Sequence, residues 1–134
     1  MNHDLHKHRP EIDVVHDLNV LPWPWLDASF DHIAASSVFE HLTINLVTVL
    51  DECWRVLRPK GTLRMKLPFW QHDNSYADPT HRWRYSLRAL DVFIPSTKLG
   101  KELGFYTPRK WAFVKGPKLN DQKSSIIATL QVRK

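Results

Sequence analysis

The stretch from Leu46 to Leu57 narrows most sharply what this chain can fold into. Leu46, Leu50, Cys53 and Leu57 recur at the three-and-four spacing that gathers side chains on one face, so the pattern predicts an amphipathic helix with its buried face already assigned. Its end is specified as well. Arg55 and Arg58 fall in the expected last turn, where they favour the negative end of the helix dipole, while Pro59 prevents continuation and Gly61 permits the turn into a strand. In that strand, Leu63, Met65 and Leu67 alternate with Thr62, Arg64 and Lys66, so one face is expected to be buried and the other partly polar. Two more apolar runs precede the helix, at Ile12–Val15 and Phe30–Ala35, each bounded by polar turns. Strand, loop, strand, helix, strand is the series of an α/β fold.

A chain of 134 residues with 43% hydrophobic and 25% charged side chains is sized for one compact domain, which buries roughly two-thirds of its unfolded surface. That domain is expected to cover 11–134, behind a loose arm over 1–10 that contains His3, His6 and His8 and closes on Pro10. The irregular spacing of those histidines, without an acidic or cysteine partner, does not define a metal site. No apolar run is long enough to span a bilayer, and the start lacks the basic-then-apolar order of a secretory signal, so a soluble, cytoplasmic protein is expected. Cys53 lacks a disulfide partner and lies on the helix's apolar face, which makes it a small core residue rather than a nucleophile.

The formal charge of +5 permits anionic partners, but the basic residues are scattered. Only Arg82, Trp83, Arg84 and Tyr85 interleave cations with aromatic rings in the way that nucleic-acid binding uses, and no helix-turn-helix, zinc-finger or RNA-recognition pattern accompanies them.

Three linked pieces carry a family resemblance: DLNVLPWPWLDASFDHI over Asp17–Ile33, AASSVFEHL over Ala34–Leu42, and LDECWRVLRPKGTLRMKLP over Leu50–Pro68. In this order and spacing the chain resembles the class I methyltransferases that use S-adenosylmethionine, in particular their type 11 branch. The resemblance implies a partial Rossmann-like sheet, strands three to seven of the family, with helices packed on it. It implies methyl transfer from S-adenosylmethionine to an acceptor nucleophile. It also implies that Asp17 accepts a hydrogen bond from the cofactor's nucleobase amine, that the Leu18 backbone lies beside adenine, and that Ser36, Ser37, Glu40 and His41 border the methionine portion. Ser37 stands where the family often has histidine. The residues alone leave other readings open, with Asp17 capping a turn and Glu40 and His41 capping and orienting the helix that follows. Trp23 and Trp25 in the stiff Pro22–Trp25 connection are read as packing residues.

After Pro68 the chain becomes irregular, polar and aromatic, and this is the expected substrate-facing loop, with His72, Arg82 and Trp83 turned to the acceptor. His81 has the intrinsic acidity of a general base and Asp78 could hold it; for this pair a loop-holding hydrogen bond is placed ahead of catalysis. A metal on His72, Asp78 and His81 is not assigned, because three residues on one loop do not define a coordination sphere. Further on, Ser86 is expected to cap a helix over Leu87–Phe93 stopped by Pro95, with a second short helix at Leu99–Leu103 ending at Gly104. Strands at Trp111–Val114 and Ile126–Val132 form an antiparallel hairpin across a polar loop, Gly116–Ser125.

The family's glycine-rich cofactor turn and the acidic residue that holds the cofactor ribose would precede the matched pieces, whereas Gly61, Gly100, Gly104 and Gly116 all lie downstream. A truncated methyltransferase-like domain is therefore expected, with Ile12–Val15 apart from its sheet neighbours and an exposed edge at Phe30–Ala35. A homodimer or a completing partner chain would cover that edge. A non-catalytic binding or assembly module and a basic nucleic-acid-binding protein are the alternative functions.

Overall fold

The computed structural model describes His3–Asp4 and residues 14–134. Along the chain come β1 (His3–Asp4), β2 (Val14–Val15), β3 (Phe30–Ser36), α1 (Leu46–Val56), β4 (Leu57–Pro68), α2 (Asn74–Ala77), α3 (Lys98–Leu103), β5 (Lys110–Leu119) and β6 (Ser125–Arg133). The main sheet has the order β3-β4-β6-β5, with β3 and β4 parallel and the other pairs antiparallel. The α/β class read from the sequence is the class observed.

α1 forms where the spacing places it. Asn45 caps its start by accepting from Thr48 N, Val56 is buried, and Val49, Leu50 and Cys53 share one core cluster with Leu63, Met65 and Leu67 of β4 and Ile126, Ala128, Leu130 and Val132 of β6. Fully burying each of the larger aliphatic chains contributes about 1.5–3 kcal/mol. The helix ends at Val56, two residues before Arg58, which was expected in its last turn. Pro59 disfavours helical backbone at Arg58, so Leu57 is already extended and pairs with Phe30, and Arg58 lies in β4 rather than in the last helical turn, with its guanidinium 3.1 Å from Asp31. Between the Phe30–Leu57 and His32–Thr62 pairs the strand bulges. Lys60, at φ +66°, takes the left-handed turn there. Gly61 is needed for space instead, since a Cβ would stand 2.8 Å from the Arg58 carbonyl oxygen.

Three other expectations change. The helix over Leu87–Phe93 is a turn capped by Ser86 followed by a 3-10 helix at Asp91–Phe93, because Pro95 forces Ile94 out of helical backbone and leaves too little length to propagate. The terminal hairpin is longer, its loop shrinking to Asn120–Ser124, where the Asn120 side chain accepts from Ser124 N and Ser125 N. Strand bulges between Phe113 and Lys118 carry Gly116 and Pro117 without ending the pairing. Finally, Val14–Val15 pairs with His3–Asp4 and not with the main sheet, so of the five strands expected in one sheet, four are there. Among the described residues β3 pairs only with β4 and forms a sheet edge. Ile12, Asp13 and most of the expected arm lie outside the described residues. The second short helix appears at Lys98–Leu103, capped by Thr97 and ending at Gly104. Among the described residues no helix is long and apolar enough to cross a membrane.

Candidate functional site

Because β3 and β4 run parallel, their carboxyl ends lie at the same edge of the sheet, the place where open α/β sheets gather ligands. Two loops leave from there. The first leaves β3 through exposed Ser36 and Ser37, and Ser37 adopts φ +57°, a left-handed turn that sends the chain into a 3-10 helix at Phe39–His41. The second leaves β4 at Pro68, passes α2 and returns as Phe69 and Tyr85 pair in a parallel bridge. Arg82 N donates to the Glu40 carbonyl at 2.7 Å and Trp83 Nε1 donates to the Leu42 carbonyl at 2.8 Å. The two loops are thereby fastened together.

A polar cluster lies at that junction. Glu40 is buried, 2% exposed, and its Oε1 has no hydrogen-bond partner. Its Oε2 is 3.8 Å from His81 Nε2, and Asp78 Oδ2 is 3.7 Å from the same nitrogen. Both gaps exceed hydrogen-bond length. His81 Nδ1 lies 3.0 Å from the Ser75 carbonyl oxygen, which can only accept, so that nitrogen carries a proton and in the neutral ring the lone pair is on Nε2. Thr80 donates its hydroxyl proton to Asp78 Oδ1 at 2.7 Å, so its oxygen accepts from His41 Nδ1 at 2.9 Å and fixes the same tautomer in His41. The two imidazoles meet edge to face, 4.8 Å between centroids. Burial pushes the Glu40 carboxyl above the usual carboxylate range, against the opposing pull of its own backbone hydrogen bond and of His41 and His81. The hydroxyl and N–H of Thr80 hold Asp78 below that range.

The loop before β3 is tied down separately. Asp17 Oδ1 accepts from Asn19 N at 2.9 Å, a side-chain-capped turn, and Asn19 Oδ1 accepts from Thr43 N at 2.7 Å, which joins this turn to the segment after β3. The Leu18 carbonyl accepts from Trp23 Nε1 at 2.9 Å. Trp23 is buried and packs edge to face on Trp25, which does the same on Phe30, in keeping with a packing role for both tryptophans. Arg55 anchors the whole segment: Nε and Nη2 reach the two oxygens of Glu52, Nη1 reaches the Trp25 carbonyl and Asp27 Oδ1, and Nη2 also reaches the Trp23 carbonyl.

Several sequence expectations are redistributed by this geometry. His81 and Asp78 come together, but Asp78 hydrogen-bonds Thr80 and not the His81 ring. Glu40 and His41 do not cap α1, since Asn45 does; they face His81 instead. His72 leaves the cluster, because its Nδ1 accepts from Asn74 N and caps the turn into α2. Arg82 is exposed, Trp83 is half-buried with its N–H engaged, and Arg84 donates to Ser75 O and lies over Tyr76. Tyr85 is buried, which removes one ring of the stacking surface that nucleic-acid binding would need. Cys53 is fully buried and its thiol is pushed far up by desolvation, as befits a core residue. Sequence reasoning missed Ser75 and Thr80, the groups that set the tautomers. An Asp78-Pro79-Thr80 turn was the local signal for Thr80; nothing local signals the Ser75 carbonyl.

The methyltransferase domain family, type 11, matches residues 2–65. Among solved structures, the fold is similar to the YcgJ protein from Bacillus subtilis at TM-score 0.52 and 14% identity, over 84% of this chain and 68% of that one. It is similar as well to a chain from the complex between the Haloferax volcanii Trm112 methyltransferase activator and a methyltransferase, at TM-score 0.56 and 16% identity, over 89% of this chain and 60% of that one. A third, an S-adenosylmethionine-dependent methyltransferase from Methanosarcina mazei, aligns at TM-score 0.46 and 14% identity over 89% of this chain and 64% of that one. The chain thus spans about two-thirds of the length of these proteins or less. Comparison with curated proteins finds no match. The match over residues 2–65 and the similarity of fold agree with the resemblance carried by Asp17–Ile33, Ala34–Leu42 and Leu50–Pro68.

Proposed function

We propose that this chain binds S-adenosylmethionine along the carboxyl edge of β3 and takes part in moving its methyl group to an acceptor nucleophile. The observation that carries the reading is the junction of the two loops that leave the parallel strands, which sets exposed Ser36 and Ser37 immediately before the Glu40–His41–Asp78–His81 cluster. Small side chains at a strand end let a ligand approach the backbone, which suits the methionine portion of the cofactor. Asp17 spends Oδ1 on its own turn and keeps Oδ2 for a nucleobase amine, with the Leu18 backbone alongside. The cofactor supplies an electrophilic methyl group on a sulfonium; as the acceptor's lone pair takes the methyl carbon, the carbon–sulfur bond breaks and a neutral thioether leaves. The protein's part is alignment and, for a protonated acceptor, proton removal. His81 Nε2 is the group suited to that removal, since its lone pair is held open by the Ser75 contact and two carboxylates face the charge it would gain. His72, Arg82 and Trp83 belong to the loop that would face the acceptor.

The test is release of S-adenosylhomocysteine from the purified chain supplied with S-adenosylmethionine and panels of hydroxyl, amine and thiol acceptors. His81→Gln is expected to lower turnover by about 10²–10⁴-fold while leaving cofactor affinity in place; unchanged turnover would remove His81 from the mechanism.

A second reading is favoured by the β3 edge, which pairs on one side only among the described residues. Such an edge recruits another strand, and a second copy of the chain or a completing partner would supply it. In that case the chain works as an assembly module or as part of a larger catalytic unit.

A further inference from the structure

We infer that Glu40, His41 and His81 form a binding site for one divalent first-row transition ion, of which Zn2+ is the representative. The three residues each offer a ligand atom, and these atoms all lie within 4.8 Å of one another. Ligands at 2.0–2.1 Å around a tetrahedral ion stand about 3.4 Å apart, so the 3.8 Å between Glu40 Oε2 and His81 Nε2 is near that spacing already. Side-chain rotation closes the remainder.

Three features distinguish this group from a structural contact. A buried glutamate that served only to orient a histidine would close on it to hydrogen-bond distance; here the gap stays open. Glu40 Oε1 is also left without any partner, although a buried carboxylate oxygen in that state is costly and calls for a ligand. Lastly, both imidazoles are held from behind through Nδ1, His81 by the Ser75 carbonyl and His41 by the Thr80 hydroxyl, which is itself fixed by Asp78. Metal-ligating histidines characteristically donate their other ring N–H to such outer groups, which leaves Nε2 free to coordinate. Two imidazoles and one carboxylate suit Zn2+ or Fe2+ and leave a fourth position open. Asp78 Oδ2, 3.7 Å from His81 Nε2, is near enough to add negative charge beside the ion. The two ligating segments come from different loops, so bound metal would also pin the loop after β3 to the loop after β4.

This inference stands apart from the methyl-transfer reading, because ion binding is measured without the cofactor. The two readings meet at one atom: His81 Nε2 cannot hold a metal and take a proton at the same time. If His81 is the base, saturating Zn2+ inhibits transfer.

The experiment is calorimetric titration of the chelator-treated full chain with Zn2+, together with the visible spectrum on adding Co2+. It uses a background in which His3, His6 and His8 are replaced by alanine, so that the N-terminal histidines contribute nothing. One equivalent of Zn2+ is expected to bind with micromolar or tighter affinity. Glu40→Gln and His81→Gln are each expected to weaken binding by at least about tenfold, and His32→Gln to leave it unchanged. Absence of saturable binding by a folded chain, or equal affinity in Glu40→Gln, His81→Gln and the parent, overturns the inference. Should the Glu40 variant fail to fold, His41→Asn, at a half-buried position, gives the same reading.

Discussion

At the scale of single residues, the tightest determinant of the loop before β3 is Arg55. Its guanidinium reaches Glu52, Asp27 and two backbone carbonyls, and Glu52 in turn accepts from Trp23 N at 2.9 Å. Arg55→Met is expected to cost about 2–4 kcal/mol, because it leaves a largely buried carboxylate and two carbonyls without donors; urea denaturation measures it. The hydrogen bonds from Arg55, against the opposing effect of burial, hold the Glu52 carboxyl below its ordinary value of 4.5. A carboxyl lowered on folding stabilises the protein fully above its unfolded pKa and loses that contribution as pH falls through the folded one. Stability should therefore decline below about pH 4.5, and Glu52→Gln should flatten that part of the profile. Part of the local structure was readable in sequence: the cap at Asp17 and the burial of Cys53 are determined by near neighbours. The approach of Glu40 and His41 to His81 was not, because two loops far apart in sequence meet only after β3 and β4 pair in parallel. His72, on the same loop as His81, is withdrawn by a local contact, the hydrogen bond from Asn74 N.

At the scale of elements, α1 and β4 were the most legible parts, since an apolar period of three and four followed by one of two leaves few alternatives. The boundary between them was misread by two residues, Leu57 and Arg58. Apolar spacing includes Leu57, whereas the conformational restriction imposed by Pro59 acts through Arg58 and ends the helix at Val56. Asn45→Ala is expected to cost about 1 kcal/mol through the lost cap. Gly61→Ala is expected to cost more, about 2 kcal/mol or above, since its Cβ would meet the Arg58 carbonyl oxygen and cannot move away from backbone. Thermal unfolding followed by circular dichroism ranks the two, and the reverse order would show that the bulge at Arg58–Gly61 yields more easily than described. The longer reach of β5 was invisible in sequence because Gly116 and Pro117 read as a loop, yet bulges keep them within the hairpin.

For the molecule as a whole, the methyltransferase-domain match covers residues 2–65, and the α/β fold is similar to that of a chain from a methyltransferase–activator complex. The side of β3 left unpaired among the described residues raises the question of assembly. Pairing with a second copy is expected to give a dimer by sedimentation velocity at micromolar concentration; a monomer throughout would instead leave that edge to a partner chain. The most direct measurement is calorimetric titration of the full chain with S-adenosylmethionine and S-adenosylhomocysteine, for the parent and for Asp17→Ala. The account expects saturable micromolar binding of both ligands, weakened by Asp17→Ala without loss of fold. A well-folded parent chain that binds neither ligand would contradict it.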